Sequence, residues 1–167
     1  MLDEGEEAGS IESGEKELIK NVFSLNDTTA EDVMVHRSQV AFLKRDDART
    51  TLLNEIAESG YSRFPVYGEN IDDIVGILYA KTYLTAQSRG ERCEMKDFLM
   101  PPRFVHASTH INRILLDMQR EHAHMAVVVD DYGGVIGIIT LEDILEELVG
   151  EIWDESCLLY TSPSPRD

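Results

Sequence analysis

The sequence is poor in basic residues and in cysteine. Lysine and arginine number 15 against 32 aspartates and glutamates, which gives a formal net charge of −17. Because binding to a nucleic-acid backbone requires clustered cations, this imbalance argues against nucleic acid as a partner. The two cysteines, Cys93 and Cys157, stand far apart in the chain. They therefore form neither a disulfide framework nor a zinc-binding pattern.

Long apolar runs and catalytic motifs are also missing. No stretch approaches the roughly 18 apolar residues that a membrane span needs, and the acidic start is unlike a signal peptide. We therefore expect a soluble chain, which could be a piece of a larger protein. The sequence has no Walker loop, no G-x-S-x-G motif and no Cys/His pair with an orienting acid. We expect no enzymatic activity.

The histidine spacing does not fit a metal site. His106 and His110 lie across a predicted junction of strand and loop, and His122 and His124 have no third ligand close in sequence. A zinc site needs three or four convergent ligands. We therefore expect no metal ion that is held by protein side chains alone.

The chain contains an internal repeat. Two segments follow the same order of strand, helix, strand, strand and helix. An offset of 61 aligns Phe64-Pro65-Val66 with Met125-Ala126-Val127, and Val75–Leu78 with Ile136–Ile139. This order predicts an α+β fold made of two small units that pack against each other.

Apolar periodicity and turn residues predict the bounds of the individual elements. Gly60 ends one helix, and Asp130–Gly134 forms the turn between two strands. The predicted helices are Glu15–Leu25, Ala48–Ser59, a helix from about Ala80, Ile111–Glu121 and Leu141–Ile152. The predicted strands are Val40–Leu43, Phe64–Tyr67, Ile74–Leu78, Met125–Val129 and Val135–Thr140.

Several motifs resemble those of a known family. Ser62–Val66, His124–Val128 and Asp130–Asp143 look like the motifs of a tandem pair of CBS domains. The closing segment Leu141–Ile152 is similar to that of the CorC/HlyC hemolysin-like family, which is related to animal CNNM proteins and linked to magnesium and cobalt efflux. The resemblance covers about residues 15–155. It implies two CBS repeats packed as a pseudo-two-fold pair, a homodimer, and a membrane transport domain elsewhere in the parent chain.

The resemblance also divides the chain into segments. The first CBS repeat covers residues 29–90 and the second covers 91–155. An acidic linker at 1–14 and a leading helix at 15–28 precede them. The tail at 156–167 departs from the family pattern, and we expect it to be disordered or non-native.

One turn of the second repeat has the residues for binding a nucleotide. Gly137 lets a planar base approach the backbone closely. Thr140 can cap the following helix, whose free amides favour phosphate, and Asp143 can accept hydrogen bonds from two ribose hydroxyls. By resemblance, Gly137–Asp143 is the nucleotide signature of CBS domains, with Thr140 on phosphate and Asp143 on ribose. Alternatively, Thr140 is only a helix cap and Asp143 only a first-turn acid.

The first repeat lacks these groups, because Tyr79 and Thr82 stand where the second repeat has its threonine and its aspartate. One nucleotide site per chain is therefore expected. In CBS pairs the start of the first repeat completes the site, although His36 departs from the proline that is common there. Arg63 either binds phosphate or pairs with a neighbouring acid at the surface. The predicted nucleotide-binding residues are Val35, Val40, Ser62, Arg63, Gly137, Ile138, Thr140 and Asp143.

The resemblance predicts a cytosolic regulatory module. It would bind an adenine nucleotide, ATP or AMP, with Mg²⁺ carried on the nucleotide phosphates. It would lie on the cytoplasmic side of the membrane and control an attached ion-transport domain involved in magnesium and cobalt efflux. The alternative is a ligand-free module for dimerisation or partner docking, in which Thr140 and Asp143 are purely structural.

Overall fold

A computed structural model describes residues 27–160 of the chain, with side chains described for residues 27–150. The predicted linker 1–14, nearly all of the leading helix 15–28 and the end of the predicted tail, 161–167, lie outside the described residues. Within the described part, no helix combines the length and the apolar character that crossing a membrane requires.

Five helices and eight strands are present in this part of the chain. The helices are α1 (Ala30–Val33), α2 (Arg49–Ser59), α3 (Ala80–Ser88), α4 (Ile111–Glu121) and α5 (Leu141–Tyr160). The strands are β1 (Val35–His36), β2 (Leu43–Lys44), β3 (Arg63–Tyr67), β4 (Ile74–Tyr79), β5 (Leu99–Met100), β6 (Phe104–His106), β7 (Met125–Val129) and β8 (Val135–Thr140). Short 3₁₀ turns occupy Arg37–Gln39 and Met95–Phe98.

The strands form two four-stranded sheets. One has the order β2-β3-β4-β5 and the other the order β1-β8-β7-β6. In each sheet a short strand pairs in parallel with the central hairpin, β2 with β3 and β6 with β7. The edge strands β1 and β5 are exchanged between the repeats. By sequence β1 belongs to the first repeat but pairs with β8, and β5 belongs to the second but pairs with β4.

The structure divides into two compact units. The helical unit contains α1, α4 and α5. Helix α1 lies in the stretch that ends at Val33, α4 lies in Ser108–His124, and α5 lies in the stretch that begins at Thr140. In it, the Ala30 amide donates to the Thr109 carbonyl at 2.9 Å. The sheet unit contains Met34–Ala107 and Met125–Ile139.

Two apolar clusters stabilise the sheet unit. The first packs α2 and α3 onto one sheet, and its most buried members include Leu43, Phe64, Val66, Leu78 and Tyr83. The second joins strands of both sheets through Ile74, Ile77, Val127, Val135 and Ile138. Burial of such side chains contributes about 1.5–3 kcal/mol each relative to exposure.

Most element bounds agree with the sequence predictions. The structure confirms α4, β7 and β8 at their predicted bounds, and Gly60 ends α2 in the left-handed conformation with φ of 70°. Helix α5 continues to Tyr160, past the predicted end at Ile152. The predicted strand Val40–Leu43 is wrong. Pairing begins only at Leu43, because the Val40 amide instead donates to the Arg37 carbonyl at 3.3 Å.

The alignment of the two repeats needs one correction. β3 and β7 share one burial pattern, with three buried residues between half-buried ends, and this aligns Arg63 with Met125. The offset there is one residue larger than the predicted 61, so the predicted match of Phe64 with Met125 is wrong. β4 and β8 keep the predicted offset. The turn after β3 is one residue longer than its counterpart, and a register shift at Val66/Tyr67 accommodates the difference.

The glycine shared by the two repeats is required by the exchanged strands. A Cβ atom on Gly137 would lie 2.5 Å from the Val35 carbonyl oxygen and 2.7 Å from the Met34 sulfur. A Cβ on Gly76 would lie 3.0 Å from the Met100 carbonyl oxygen. Real Cβ atoms essentially never lie closer than 3.0 Å to another heavy atom, so the two contacts at Gly137 exclude a side chain there. The space beside Gly137 is therefore filled by the chain's own strand β1.

We expect Gly137→Ala to lower the free energy of unfolding by about 1–3 kcal/mol, because β1 must move away from β8 to admit a methyl group. Gly150→Ala is the control, since Gly150 lies within α5 with nothing within 4 Å of its Cβ position. It is expected to stabilise the helix by about 0.5–1 kcal/mol. Urea denaturation followed by circular dichroism measures both. Equal stability of Gly137→Ala and wild type would contradict the close approach of β1 to Gly137.

Candidate functional site

Thr140 and Asp143 hold each other at the start of α5. The Thr140 amide donates to Asp143 Oδ2 at 3.2 Å, and the Asp143 amide donates to Thr140 Oγ1 at 3.1 Å. This reciprocal pair is a capping box, in which each side chain satisfies the other residue's amide. Thr140 is thus a helix cap and Asp143 a first-turn acid, as in the structural alternative given above. Both side chains are half-buried and keep one face toward solvent.

The capping box leaves hydrogen-bonding capacity for a ligand. The Thr140 hydroxyl accepts one bond here, so its proton remains available to donate. Asp143 uses only Oδ2 within the described residues, and Oδ1 can still accept from hydroxyl groups. The cap also fixes the direction of the carboxylate. The arrangement therefore presents one donor and one anionic acceptor at the helix N-terminus.

The corresponding turn of the first repeat is built differently. Tyr79 precedes α3 and provides no side-chain cap, and the Thr82 hydroxyl donates to the Tyr79 carbonyl at 2.9 Å. The backbone follows the same path in both repeats. The Ala80 amide bonds the Ser62 carbonyl and the Leu141 amide bonds the His124 carbonyl, each at 2.9 Å. Equivalent backbone thus carries a carboxylate, and a side-chain hydroxyl that caps the helix, only in the second repeat.

Arg63 lies over an aromatic ring. Its guanidinium carbon lies 5.2 Å from the centroid of the Tyr79 ring, and the two residues are cross-strand partners in β3 and β4. Within the described residues Arg63 forms no ion pair, so the surface pair with a neighbouring acid, one of the two alternatives for this residue, is not formed there. A guanidinium stacked on a ring by cation–π attraction still presents N–H groups at its edge. Ser62, next to it, is exposed.

The predicted apolar residues meet at β1 and β8. Val35 is paired with Ile138, and His36 is paired with Gly137. Val40 packs, half-buried, against the cluster that contains Ile138. The structure therefore brings together the four sheet-unit residues Val35, Val40, Gly137 and Ile138. Arg63 lies on the other sheet, in β3, and Ser62 immediately precedes that strand.

His36 acts as a cap where the family commonly has proline. The Ser38 amide donates to His36 Nδ1 at 3.2 Å, and the Ser38 hydroxyl lies 2.9 Å from the same nitrogen. These contacts begin the 3₁₀ turn Arg37–Gln39. The side chain of His36 is exposed and is used locally.

Sequence reasoning missed a polar connection between the two sheets. Arg37 donates to the Val135 carbonyl at 2.9 Å, and Asp72 Oδ1 accepts from the Val135 amide at 2.9 Å. The Arg37 and Asp72 side chains lie 3.6 Å apart. Together they bind both polar groups of the first residue of β8. No sequence pattern signals this network, because its members lie in two separate turns and a strand.

Comparison with known proteins places this geometry in context. The family model described as CBS domain matches residues 95–150. The magnesium and cobalt efflux protein CorC of Salmonella typhimurium is 40% identical over 146 residues, which is 87% of this chain and 50% of that protein. The chain spans about half the length of the CorC proteins that it matches.

Two solved structures are similar over most of the described fold. The CBS domain of a bacterial CNNM/CorC family Mg²⁺ transporter in complex with ATP is 34% identical, with a TM-score of 0.73, covering 82% of this chain and 98% of that one. A CBS-domain pair with bound AMP from Klebsiella pneumoniae is 28% identical, with a TM-score of 0.66, covering 73% and 98% respectively.

We expect Asp72→Ala to destabilise the protein by about 1–3 kcal/mol, because it leaves the Val135 amide without its acceptor. Asp72→Asn should cost less, since its amide oxygen can still accept that bond. The control is Asp46→Ala, which removes an exposed ion pair with Arg45 and should change stability by less than about 0.5 kcal/mol. Urea denaturation of all three measures the effect. Equal losses for Asp72→Ala and Asp46→Ala would contradict a bridging role.

Proposed function

The chain belongs to the CNNM/CorC family of CBS-domain proteins, and we propose that it is the regulatory module of a membrane ion transporter and binds one adenine nucleotide. The observation that carries the proposal is the capping box of Thr140 and Asp143, which occurs in one repeat and not in the other. The full-length parent would place the module on the cytoplasmic side of the membrane. Magnesium and cobalt are the ions named for its relatives.

The proposed contacts follow from the chemistry of each group. Asp143 would accept hydrogen bonds from the two ribose hydroxyls through Oδ1, while Oδ2 stays in the cap. The Thr140 hydroxyl would donate to a phosphate oxygen at a helix end where the dipole favours negative charge. The base would rest on the apolar surface of Val35, Val40 and Ile138. The role of Gly137 would then be indirect, because it allows β1 to lie beside β8.

Ser62 and Arg63 are both proposed to contact phosphate. The Arg63 contact depends on the free edge of its guanidinium. Stacking on Tyr79 restricts Arg63 to few rotamers, which lowers the entropy lost when it binds phosphate. Ser62 is exposed and has a hydroxyl that can donate. These two phosphate contacts are secondary to the contacts of Thr140 and Asp143, because both residues belong to the first repeat.

Nucleotide binding would regulate the protein because it is linked to the equilibrium between two conformations. A nucleotide that binds one conformation more tightly than another shifts the population toward that conformation. The size of the shift is limited by the difference in affinity between the two states. In the parent protein, we propose that the attached transport domain responds to this shift, and that the module acts as a homodimer, as CBS pairs commonly associate about a two-fold axis.

The capping box also favours a second candidate function. This second function is a ligand-free module for dimerisation or partner docking. The capping box explains the presence of both Thr140 and Asp143 without any ligand. Helices α4 and α5 also expose apolar side chains, namely Leu116, Leu145 and Val149, at 53%, 41% and 46%. Nucleotide titration separates the two functions, since a docking module would show no saturable binding.

We expect isothermal titration calorimetry to give one ATP or AMP per chain. Asp143→Asn should keep the cap, through its amide oxygen, but weaken binding by about 1.5–3 kcal/mol because the charge-assisted bonds to ribose are lost. Thr82→Ala is the matched control, because Thr82 occupies the equivalent position of the first repeat. It should leave the nucleotide affinity unchanged. Two sites per chain would contradict the assignment of the nucleotide to the second repeat alone, and an unaltered affinity in folded Asp143→Asn would contradict the proposed contact of Asp143 with ribose. No saturable binding would favour the docking module.

Magnesium should be needed for ATP but not for AMP. The first turns of α5 carry Glu142, Asp143, Glu146 and Glu147, and their charges repel a triphosphate unless a divalent cation lies between. We expect EDTA to weaken ATP binding at least about tenfold, roughly 1.4 kcal/mol, with little effect on AMP. Calorimetry in EDTA and in magnesium compares the two. Equal ATP affinity in both would mean that the protein's own cations suffice.

A further inference from the structure

A cavity on the first repeat lies apart from every residue predicted to bind nucleotide. It has a volume of about 570 Å³ and is bounded by the start of α2, by α3 and by the 3₁₀ turn Met95–Phe98. Leu52 and Met95 give it an apolar floor. A volume of this size suits a small molecule, and sites of this kind combine an apolar lining with a few converging polar groups.

Tyr83 contributes a polar group that the protein itself does not satisfy. The residue is only 1% exposed and lines the cavity. Its ring packs edge-on against Phe98, with 5.7 Å between centroids. Within the described residues its hydroxyl has no hydrogen-bond partner. The hydroxyl is therefore available to a molecule in the cavity. Burial raises the pKa of Tyr83, so the hydroxyl stays protonated and is a donor.

Arg49 supplies a positive charge to this cavity. It is the first residue of α2, lines the same cavity, and forms no ion pair within the described residues. Arg49 and Tyr83 both line this cavity. A guanidinium presents a planar fork of N–H donors that matches the two oxygens of a carboxylate.

The other charges of the cavity are already compensated or act elsewhere. Arg45 lies 3.3 Å from Asp46, and Lys96 lies 3.1 Å from Glu94. Burial, and after it the charge of the remaining acid Asp47, raises the pKa of Glu55, which does not line the cavity. Arg49 is therefore the cation of the lining that forms no ion pair within the described residues, and it can balance one negative charge.

We propose that this cavity binds a small organic monocarboxylate, with its carboxylate held by Arg49 and Tyr83 and its apolar body on Leu52 and Met95. The ligand class follows from one free guanidinium, one free hydroxyl donor and an apolar floor in a single cavity. The site is independent of the nucleotide site, and the failure of either proposal leaves the other standing.

Sodium benzoate is the probe, and neutral benzamide of nearly the same shape is its control. In ¹⁵N-labelled protein, benzoate should shift the backbone amides of Arg49, Leu52, Tyr83 and Met95 saturably, and benzamide should shift them far less. Arg49→Gln and Tyr83→Phe should each weaken benzoate binding at least about fivefold. Arg120→Gln, the same kind of change on the exposed surface of α4, should bind as wild type. Tyr83→Phe keeps the ring, and thermal denaturation verifies that each variant is folded.

Three results would overturn the proposal. The first is an absence of saturable shifts up to the solubility limit of benzoate. The second is equal binding of benzoate and benzamide, or unchanged affinity in both folded variants, which would remove the anchoring role of Arg49 and Tyr83. The third is inorganic phosphate displacing benzoate at equal concentration, since that would indicate a general anion site with no contribution from the apolar floor.

Discussion

The close contact of β1 with β8 is the constraint on which the sheet unit depends. It brings the Val35 carbonyl to within 2.5 Å of where a side chain at Gly137 would begin, so only glycine is accommodated. The same pairing places Val35 beside Ile138 and brings the turn after β1 to Val135, where Arg37 and Asp72 bind both backbone polar groups. The proposed apolar slot for a base is a consequence of this strand exchange.

The start of α5 shows how one pair of residues can serve both the fold and a ligand. Thr140 and Asp143 cap the helix through one oxygen each, which stabilises the helix and fixes the side chains. Their remaining donor and acceptor groups are thereby already oriented in the unliganded protein, so little side-chain entropy is lost when a nucleotide binds. The structural and the functional interpretations of these residues are therefore compatible.

Local features of the structure could be predicted from the sequence, and long-range ones could not. The bounds of α4, β7 and β8 follow from apolar periodicity and turn residues, and the repeat predicts the order of the elements. The partner of β1, the Arg37–Asp72 bridge and the cavity lined by Arg49 and Tyr83 join distant segments, so they leave no local pattern. The repeat alignment was wrong by one residue at β3, because a register shift at Val66/Tyr67 has no signature in the sequence.

We propose that the second repeat, and not the first, holds the nucleotide. Titration of ¹⁵N-labelled protein with ATP in the presence of magnesium distinguishes the two equivalent turns. We expect saturable shifts of the amides of Thr140, Asp143 and Val35, and no shift of the amides of Tyr79 and Thr82. Shifts centred on Tyr79 and Thr82, or no saturable shift at Thr140 and Asp143, would contradict this proposal.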